Sequence, residues 1–163
     1  MTDDQRERLA KAANQIKEAD RNFPTNVSQI WTFPYFTFSE FIDACDRREC
    51  AIARFAFRQE SNLMDVFASA PQRFMHTTMV LATFLVPLAS IVFAFVISPW
   101  FLFGVLFFIM GARASTGMYN ITILEAARSS ELAFCFLFYT SQINVYHLPT
   151  GQEYEWRQIT EGS

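Results

Sequence analysis

The side chains in this sequence that are best suited to chemistry are three cysteines and two histidines: Cys45, Cys50, Cys135, His76 and His147. Cys45 and Cys50 flank a run of charged residues, and Cys135 lies among phenylalanines. None of these spacings is that of a metal or redox motif, and no motif spacing supports Cys135 and His147 as a nucleophile pair. The sequence therefore predicts no catalytic residue, no metal ligand and no cofactor, and we expect that the protein is not an enzyme.

Phosphate and nucleic-acid chemistry are not indicated either. The chain has only 5 glycines, and because they do not cluster there is no glycine-rich loop to hold a phosphate. The formal net charge is -3, and the basic residues of the N-terminal part are interleaved with acidic ones. Since no basic patch results, we expect no nucleic-acid partner.

One long apolar stretch determines the class of protein. Residues from Phe74 to Ala112 include no Asp, Glu, Lys or Arg, although the whole sequence is 18% charged. A helix rises about 1.5 Å per residue, so about 20 residues cross a hydrocarbon core of roughly 30 Å, and residues 78–97 meet that length. Ser98-Pro99-Trp100 is the one plausible turn, because proline has no backbone N–H and tryptophan suits a membrane interface. We therefore predict an integral membrane α-helical hairpin with two transmembrane helices.

The second apolar run of this hairpin is short. From Trp100 to Ala112 it has 13 residues, which is about 20 Å of helix and too little to cross alone. The helix can continue through Arg113 toward Asn120, with the guanidinium group reaching the near interface. Alternatively, Pro87 can kink the first helix so that the hairpin enters and leaves a single leaflet. Two full spans are the preferred interpretation.

Basic and aromatic residues predict the membrane boundaries and the orientation. Arg73 and Arg113 flank the apolar stretch and Trp100 lies at its turn, so we interpret these three residues as membrane-boundary anchors. Further arginines precede and follow the stretch, whereas the turn has none. The positive-inside rule then predicts a multi-pass protein with both termini in the cytoplasm.

Small residues predict the faces by which the membrane helices pack. The first helix carries small residues spaced mostly by four: Ala82, Ser90, Ala94 and Ser98. On the second helix, Gly104 and Gly111 are seven residues apart and give a similar face. Such residues let helix backbones approach closely in lipid. Two interpretations stay open, namely packing of the hairpin on itself and association with a second copy or another membrane protein.

Residues 1–73 are predicted to form an N-terminal cytoplasmic region that begins with a helix. Thr2 and Gln5 have the spacing of a capping box, and the helix ends near Arg21. An aromatic segment follows from Gln29 to Phe38. Its composition fits an edge strand or an extended loop, because the internal Pro34 excludes a central strand, and it equally fits a set of aromatic anchors at a membrane interface.

A long amphipathic helix is predicted from Ser39 to Ala68. Thr37 and Glu40 form a second capping-box pair at its start, its apolar residues fall mostly on one side, and Pro71 ends the segment. We expect this helix to cover a small sheet or to lie against the membrane surface, and the alternative is a helix that binds a partner protein.

Residues 121–163 are predicted to contribute a helix extension and a β-hairpin. The second membrane helix continues to about Arg128, and residues from Leu132 to Leu148 are expected to form one long or broken strand. After a turn that begins at Pro149, a return strand is expected from Glu153 to Ile159. Together with the N-terminal region, this predicts a small cytoplasmic α+β unit, and no internal repeat is visible.

These elements indicate a function in outline. With a membrane hairpin at residues 74–120 and no visible catalytic set, we expect a non-enzymatic accessory, assembly or scaffold component that self-associates through its small-residue faces. Its partners would be membrane lipid and either a second copy or another membrane protein. The alternatives are an oligomeric channel for small solutes or ions, since two helices cannot enclose a pore alone, and a membrane enzyme that acts on lipid.

Overall fold

The chain forms two compact units. The computed structural model describes residues 1–30, 33–54 and 62–156. The globular unit contains residues 1–67 and 123–163, and the apolar unit contains residues 68–122. The described chain is mostly helical and includes one three-stranded sheet.

The N-terminal helix, α1, spans Asp3–Ala19 and begins at the predicted capping box. The backbone N–H of Gln5 donates to Thr2 Oγ1 at 3.4 Å, and the backbone N–H of Thr2 donates to Gln5 Oε1 at 2.7 Å. These bonds satisfy donors that the first turn of a helix leaves without partners. Leu9 and Ala13, which belong to the thin apolar side of this helix, are buried.

The single helix predicted over residues 39–68 is wrong in its central part. Helix α2 spans only Phe38–Asp46, and a strand, β1, spans Cys50–Arg54. The predicted capping box is present at the start of α2, where the backbone N–H of Glu40 donates to Thr37 Oγ1 at 3.2 Å.

Helix α2 ends in a turn that requires a left-handed residue. Arg48 has a φ of 60°, and its N–H donates to the Cys45 carbonyl at 3.1 Å. The N–H of Glu49 donates to the Ala44 carbonyl at 2.9 Å. This pair of bonds is the Schellman motif, which satisfies the last carbonyls of a helix and usually has glycine at the left-handed position. An arginine there gives no sequence signal that the helix stops.

A short helix, α3, spans Asn62–Phe67. Residues 55–61 of the predicted long helix lie outside the described residues.

The apolar unit begins with helix α4 at Ala70–Val96, which is followed by a 3-10 helix at Pro99–Val105. Helix α5, at Leu106–Ser129, continues from there, and its residues from Ile123 onward belong to the globular unit. Pro71 was expected to end a helix but instead lies in the first turn of α4. Proline is tolerated there because the first N–H groups of a helix have no intrahelical partner.

The apolar run from Leu132 to Tyr139 is a helix and not the predicted strand. Helix α6 spans Glu131–Tyr139, and every side chain from Ala133 to Phe138 is buried. Because the run is apolar on all sides, it shows neither of the periods by which strand and helix are distinguished in a sequence. Like α2, it ends at a left-handed residue, here Ser141 with a φ of 54°.

The strands form one antiparallel sheet in the order β1-β2-β3. Strand β2 spans Ile143–His147 and β3 spans Gln152–Tyr154, with Gly151, at a φ of 68°, in the turn between them. The C-terminal β-hairpin is therefore present, with a return strand that ends earlier than expected. Residues 157–159 of the predicted strand lie outside the described residues.

Among the described residues of the aromatic segment at Gln29–Phe38, no strand is found. Val27–Gln29 form a short 3-10 helix, and residues 33–37 have no regular structure, as in the extended-loop interpretation. Trp31 and Thr32 lie outside the described residues. The strand that pairs with the C-terminal β-hairpin is instead β1, and all of its residues pair with residues of β2.

Two stretches with unrelated sequences have the same local plan. Residues 38–54 and residues 131–147 each form a helix of 9 residues, a left-handed turn and a strand of 5 residues. Phe41 and Phe134 occupy the same place in the two helices, and their ring centroids lie 4.7 Å apart. Both rings are fully buried, so they pack on each other within the core of the globular unit.

Candidate functional site

Burial in the apolar unit is the reverse of burial in a water-soluble helix. The buried residues of α4 are Thr83, Pro87 and Ser90, whereas Leu88 is 62% exposed and Phe95 is 87% exposed. Of the 23 large apolar side chains that are exposed among the described residues, 21 lie in this unit. Small or polar residues inside and large apolar residues outside are typical of helices whose surroundings are hydrocarbon.

Two glycines face the buried hydroxyl residues of α4. A Cβ atom at Gly104 would lie 1.9 Å from Ser90 Oγ, and one at Gly111 would lie 2.3 Å from Thr83 Oγ1. At Gly104 a side chain does not fit, because the added Cβ atom would also lie 2.6 Å from Ser90 Cβ, whereas at Gly111 only the Thr83 hydroxyl group would have to move. The earlier glycine, Gly104, faces the later hydroxyl residue, Ser90, and Gly111 faces Thr83. Helix α4 and the segment that contains the glycines therefore run antiparallel. We call these two contacts, Ser90–Gly104 and Thr83–Gly111, the seam.

Both hydroxyl groups of the seam are satisfied within their own helix. Ser90 Oγ donates to the Val86 carbonyl at 2.7 Å, and Thr83 Oγ1 donates to the Met79 carbonyl at 2.7 Å. Such bonds to the carbonyl four residues earlier remove the cost of placing a hydroxyl where water is excluded. The seam can therefore exclude water, because neither hydroxyl group needs a water molecule as a hydrogen-bond partner.

A histidine extends the seam toward the start of α4. His76 Nε2 and Ser115 Oγ lie 3.1 Å apart in a hydrogen bond. Sequence reasoning singled out Ser90 but neither His76 nor Thr83 as packing residues. The signal that could have found them is their spacing, because positions 76, 83 and 90 are seven apart, as are the two glycines that face the last two of them.

The other residues of the predicted packing stripe lie beside the seam. Ala82, Ala94 and Ser98 are all half-buried. Of the predicted set, Ser90 and Gly104 are brought together, and Gly111 faces Thr83 instead of a stripe residue. Association of these faces with a second copy stays a prediction.

The predicted boundary anchors lie near the ends of the apolar unit's segments. Trp100, in the 3-10 helix that follows the chain reversal, is exposed and stacks on Phe103 with a centroid distance of 5.7 Å. Arg73 is half-buried in the first turns of α4, and Arg113 is exposed on α5. Their role as anchors stays a prediction.

In the described part of the chain, one helix is long and apolar enough to cross a bilayer, namely α4 at Ala70–Val96. The predicted second transmembrane helix is not confirmed by the same criterion. Helix α5 begins only at Leu106, because the first apolar residues after the turn are in the 3-10 helix, and its residues after Arg113 are a mixture of polar and apolar ones.

The sulfur groups are not arranged for nucleophilic chemistry. Burial raises the pKa of Cys135 to about 12 and that of Cys45 to about 11. Cys50 Sγ lies 2.6 Å from Tyr35 Oη, and burial raises the pKa of this thiol as well. His147 pairs with Cys50 in the sheet, whereas Cys135 lies in helix α6. Thiols with raised pKa values stay protonated at neutral pH and are poor nucleophiles.

Among the described residues, no three His, Cys, Asp or Glu side chains are grouped so that they could hold a metal ion. The chain matches no family model, no curated protein and no solved structure.

Proposed function

We propose that the apolar unit inserts into a lipid bilayer and that the protein is a non-enzymatic membrane component, which holds its globular unit at the membrane as an accessory, assembly or scaffold part. The reversed burial of α4 is the observation that carries this proposal. A helix of a water-soluble protein would bury Leu88 and Phe95 and expose Thr83 and Ser90, because burial of apolar surface drives folding in water.

The chain crosses the bilayer twice in this proposal. Helix α4 has 27 residues and is about 40 Å long, which exceeds a hydrocarbon core of roughly 30 Å. A 3-10 helix rises about 2.0 Å per residue, so Pro99–Val105 followed by the first turns of α5 reaches about 25 Å at Ala112. The 3-10 geometry thus lengthens a run that is too short as an α-helix, and the Arg113 side chain can reach the interface from there.

Orientation is set by the polar end of the apolar unit. The hydrogen bond between His76 and Ser115 lies at the end where Arg73 precedes the apolar stretch and Arg113 follows it. The opposite end, at the chain reversal around Ser98, has no charged residue. The positive-inside rule then places both termini in the cytoplasm.

An accessory role is favoured over the two alternatives. A channel needs polar groups that face water, but the hydroxyl groups of Thr83 and Ser90 are bonded to their own helix and covered by glycines. An enzyme that acts on lipid needs a nucleophile or an acid–base pair, and the raised pKa of Cys135 argues against a thiolate there. The globular unit is then a protein-interaction surface.

A matched pair of substitutions tests the proposal. Leu88 is at the centre of the apolar residues 78–97 and is 62% exposed, and Leu148 in the globular unit is 55% exposed. In a water-soluble protein, lysine would be tolerated at both positions. In a bilayer, Leu88→Lys costs about 3–4 kcal/mol of insertion free energy, because the favourable contribution of leucine is lost and the unfavourable one of lysine is added. We expect alkaline carbonate to extract Leu88→Lys more readily than the wild-type protein or Leu148→Lys. Complete extraction of the wild-type protein, or equal behaviour of the two variants, would refute membrane insertion.

A further inference from the structure

An open groove in the globular unit is lined by helices α1, α3 and α6. Its volume is about 430 Å³, which is within the range of small-molecule sites. Leu63 and Phe136 are buried beneath it, and the half-buried side chains of Ile16 and Val66 also line it. A groove with these walls suits an aliphatic chain.

A carboxylate provides the one charge among the described lining residues. The Tyr139 hydroxyl donates to Asp20 Oδ2 at 2.6 Å, and the backbone N–H of Asn22 donates to Asp20 Oδ1 at 2.8 Å. Both bonds favour the charged form, with that from Tyr139 the stronger, and hold the pKa of Asp20 below its usual range. Asp20 is therefore ionised at neutral pH.

An aromatic ring lies next to this carboxylate and is held in place. Besides its bond to Asp20, the ring of Tyr139 contacts Phe23 edge-on at a centroid distance of 5.2 Å and Trp156 at 5.0 Å. Tyr139 thus has contacts at its hydroxyl and with two other rings. A carboxylate beside an aromatic ring attracts organic cations, by charge and by the ring quadrupole.

We propose that this groove binds a small amphiphilic amine from the aqueous phase, with its aliphatic chain against Leu63 and Phe136 and its ammonium group at Asp20 and Tyr139. An alcohol of the same length would leave the carboxylate without a charged partner, and a carboxylic acid would be repelled by it. Every lining residue belongs to the globular unit, so the inference does not depend on membrane insertion.

Octylamine, 1-octanol and octanoate are suitable probes because they share one chain. Binding is measured by titration calorimetry on the full-length protein in a mild detergent, which can be used whether or not the apolar unit inserts into a bilayer, and each probe is also titrated into detergent alone. We expect octylamine to bind roughly tenfold more tightly than 1-octanol, which corresponds to one charge-assisted hydrogen bond, and octanoate to bind least. Equal affinities for octylamine and 1-octanol would overturn the proposal, as would failure of octylamine to bind.

Substitutions then locate the site. Asp20→Asn keeps the shape of the groove, so octylamine should bind this variant only as tightly as 1-octanol binds the wild-type protein. Glu18→Gln makes the same change of charge on an exposed position of α1 outside the groove and should leave affinity unchanged. Ala12→Phe fills the groove and should weaken binding of all three probes. Equal losses in Asp20→Asn and Glu18→Gln, or no loss in Ala12→Phe with an unchanged unfolding temperature, would contradict binding in this groove.

Discussion

Gly104 lies so close to Ser90 that a Cβ atom on the glycine would be 2.6 Å from the Cβ atom of the serine. The two backbones can approach this closely only because one of the residues has no side chain. Gly111 is in the same position relative to Thr83, although less tightly, with 3.2 Å between the corresponding atoms. Gly117, in the same helix as Gly111, has no neighbour within 4 Å of its Cβ position. Gly117 is therefore a control position for substitutions at Gly104 and Gly111.

Alanine at the two seam glycines should destabilise the apolar unit. We expect Gly104→Ala to cost about 1–3 kcal/mol, as for an overpacked core, and Gly111→Ala to cost less because Thr83 can rotate. Gly117→Ala should be neutral or stabilising by about 0.5–1 kcal/mol, since alanine is the better helix former. Thermal unfolding of the purified protein in nanodiscs measures all three.

A compensating substitution separates the seam from a general effect of alanine. Ser90→Gly removes the atoms that a Cβ at position 104 would meet, so it should restore most of the stability lost in Gly104→Ala. Additive losses in the double variant would contradict the contact, because residues that touch are expected to show a coupling energy.

The position of Ser90 also bears on self-association. Ala94 continues the line of Thr83, Pro87 and Ser90 along α4 and is half-buried, whereas Val92 is exposed. Because Gly104 of the same chain already covers Ser90, we expect Ala94→Phe to lower the unfolding temperature without changing the oligomer distribution. Val92→Phe should have little effect on either, if it meets lipid. Loss of an oligomer in Ala94→Phe, seen by cross-linking in detergent, would instead assign this face to a second copy.

Local signals in the sequence were sufficient for some elements and not for others. Thr2 with Gln5, and Thr37 with Glu40, predicted helix starts correctly because a capping box is completed within four residues. The strand at Cys50–Arg54 was missed because its identity depends on pairing with residues 143–147, far away in the chain. Helix propensity and periodicity carry no information about such pairing.

The candidate site shows the same limit. Length and the lack of charge were enough to find the apolar stretch, and small residues pointed to close packing. Which residues face each other was not visible, because hairpin register depends on the geometry of the turn, here a 3-10 helix at Pro99–Val105. The repeated helix–turn–strand plan was invisible for another reason: of its two left-handed residues, Arg48 and Ser141, neither is the glycine that usually marks such a turn.

Those left-handed positions give a direct test of the turn geometry. Arg48 has a φ of 60°, which costs a residue with a Cβ atom roughly 1 kcal/mol relative to glycine. Arg48→Gly should therefore stabilise the globular unit by about that amount, in spite of the greater entropy of the unfolded chain. Arg47 has a φ of -77°, so Arg47→Gly should destabilise it. Chemical denaturation of the two variants measures the difference, and equal effects would contradict a left-handed conformation at Arg48.

The central claim, that the apolar unit crosses a membrane with its chain reversal on the far side, is tested most directly by labelling at position 98. Cys45, Cys50 and Cys135 are first replaced by alanine, and a single cysteine is then placed at Ser98 or, as a cytoplasmic control, at Thr2. A thiol reagent that cannot cross membranes is added to intact cells and again after permeabilisation. We expect the cysteine at position 98 to be labelled in intact cells and the cysteine at position 2 only after permeabilisation. Labelling of position 98 only after permeabilisation would contradict two full spans.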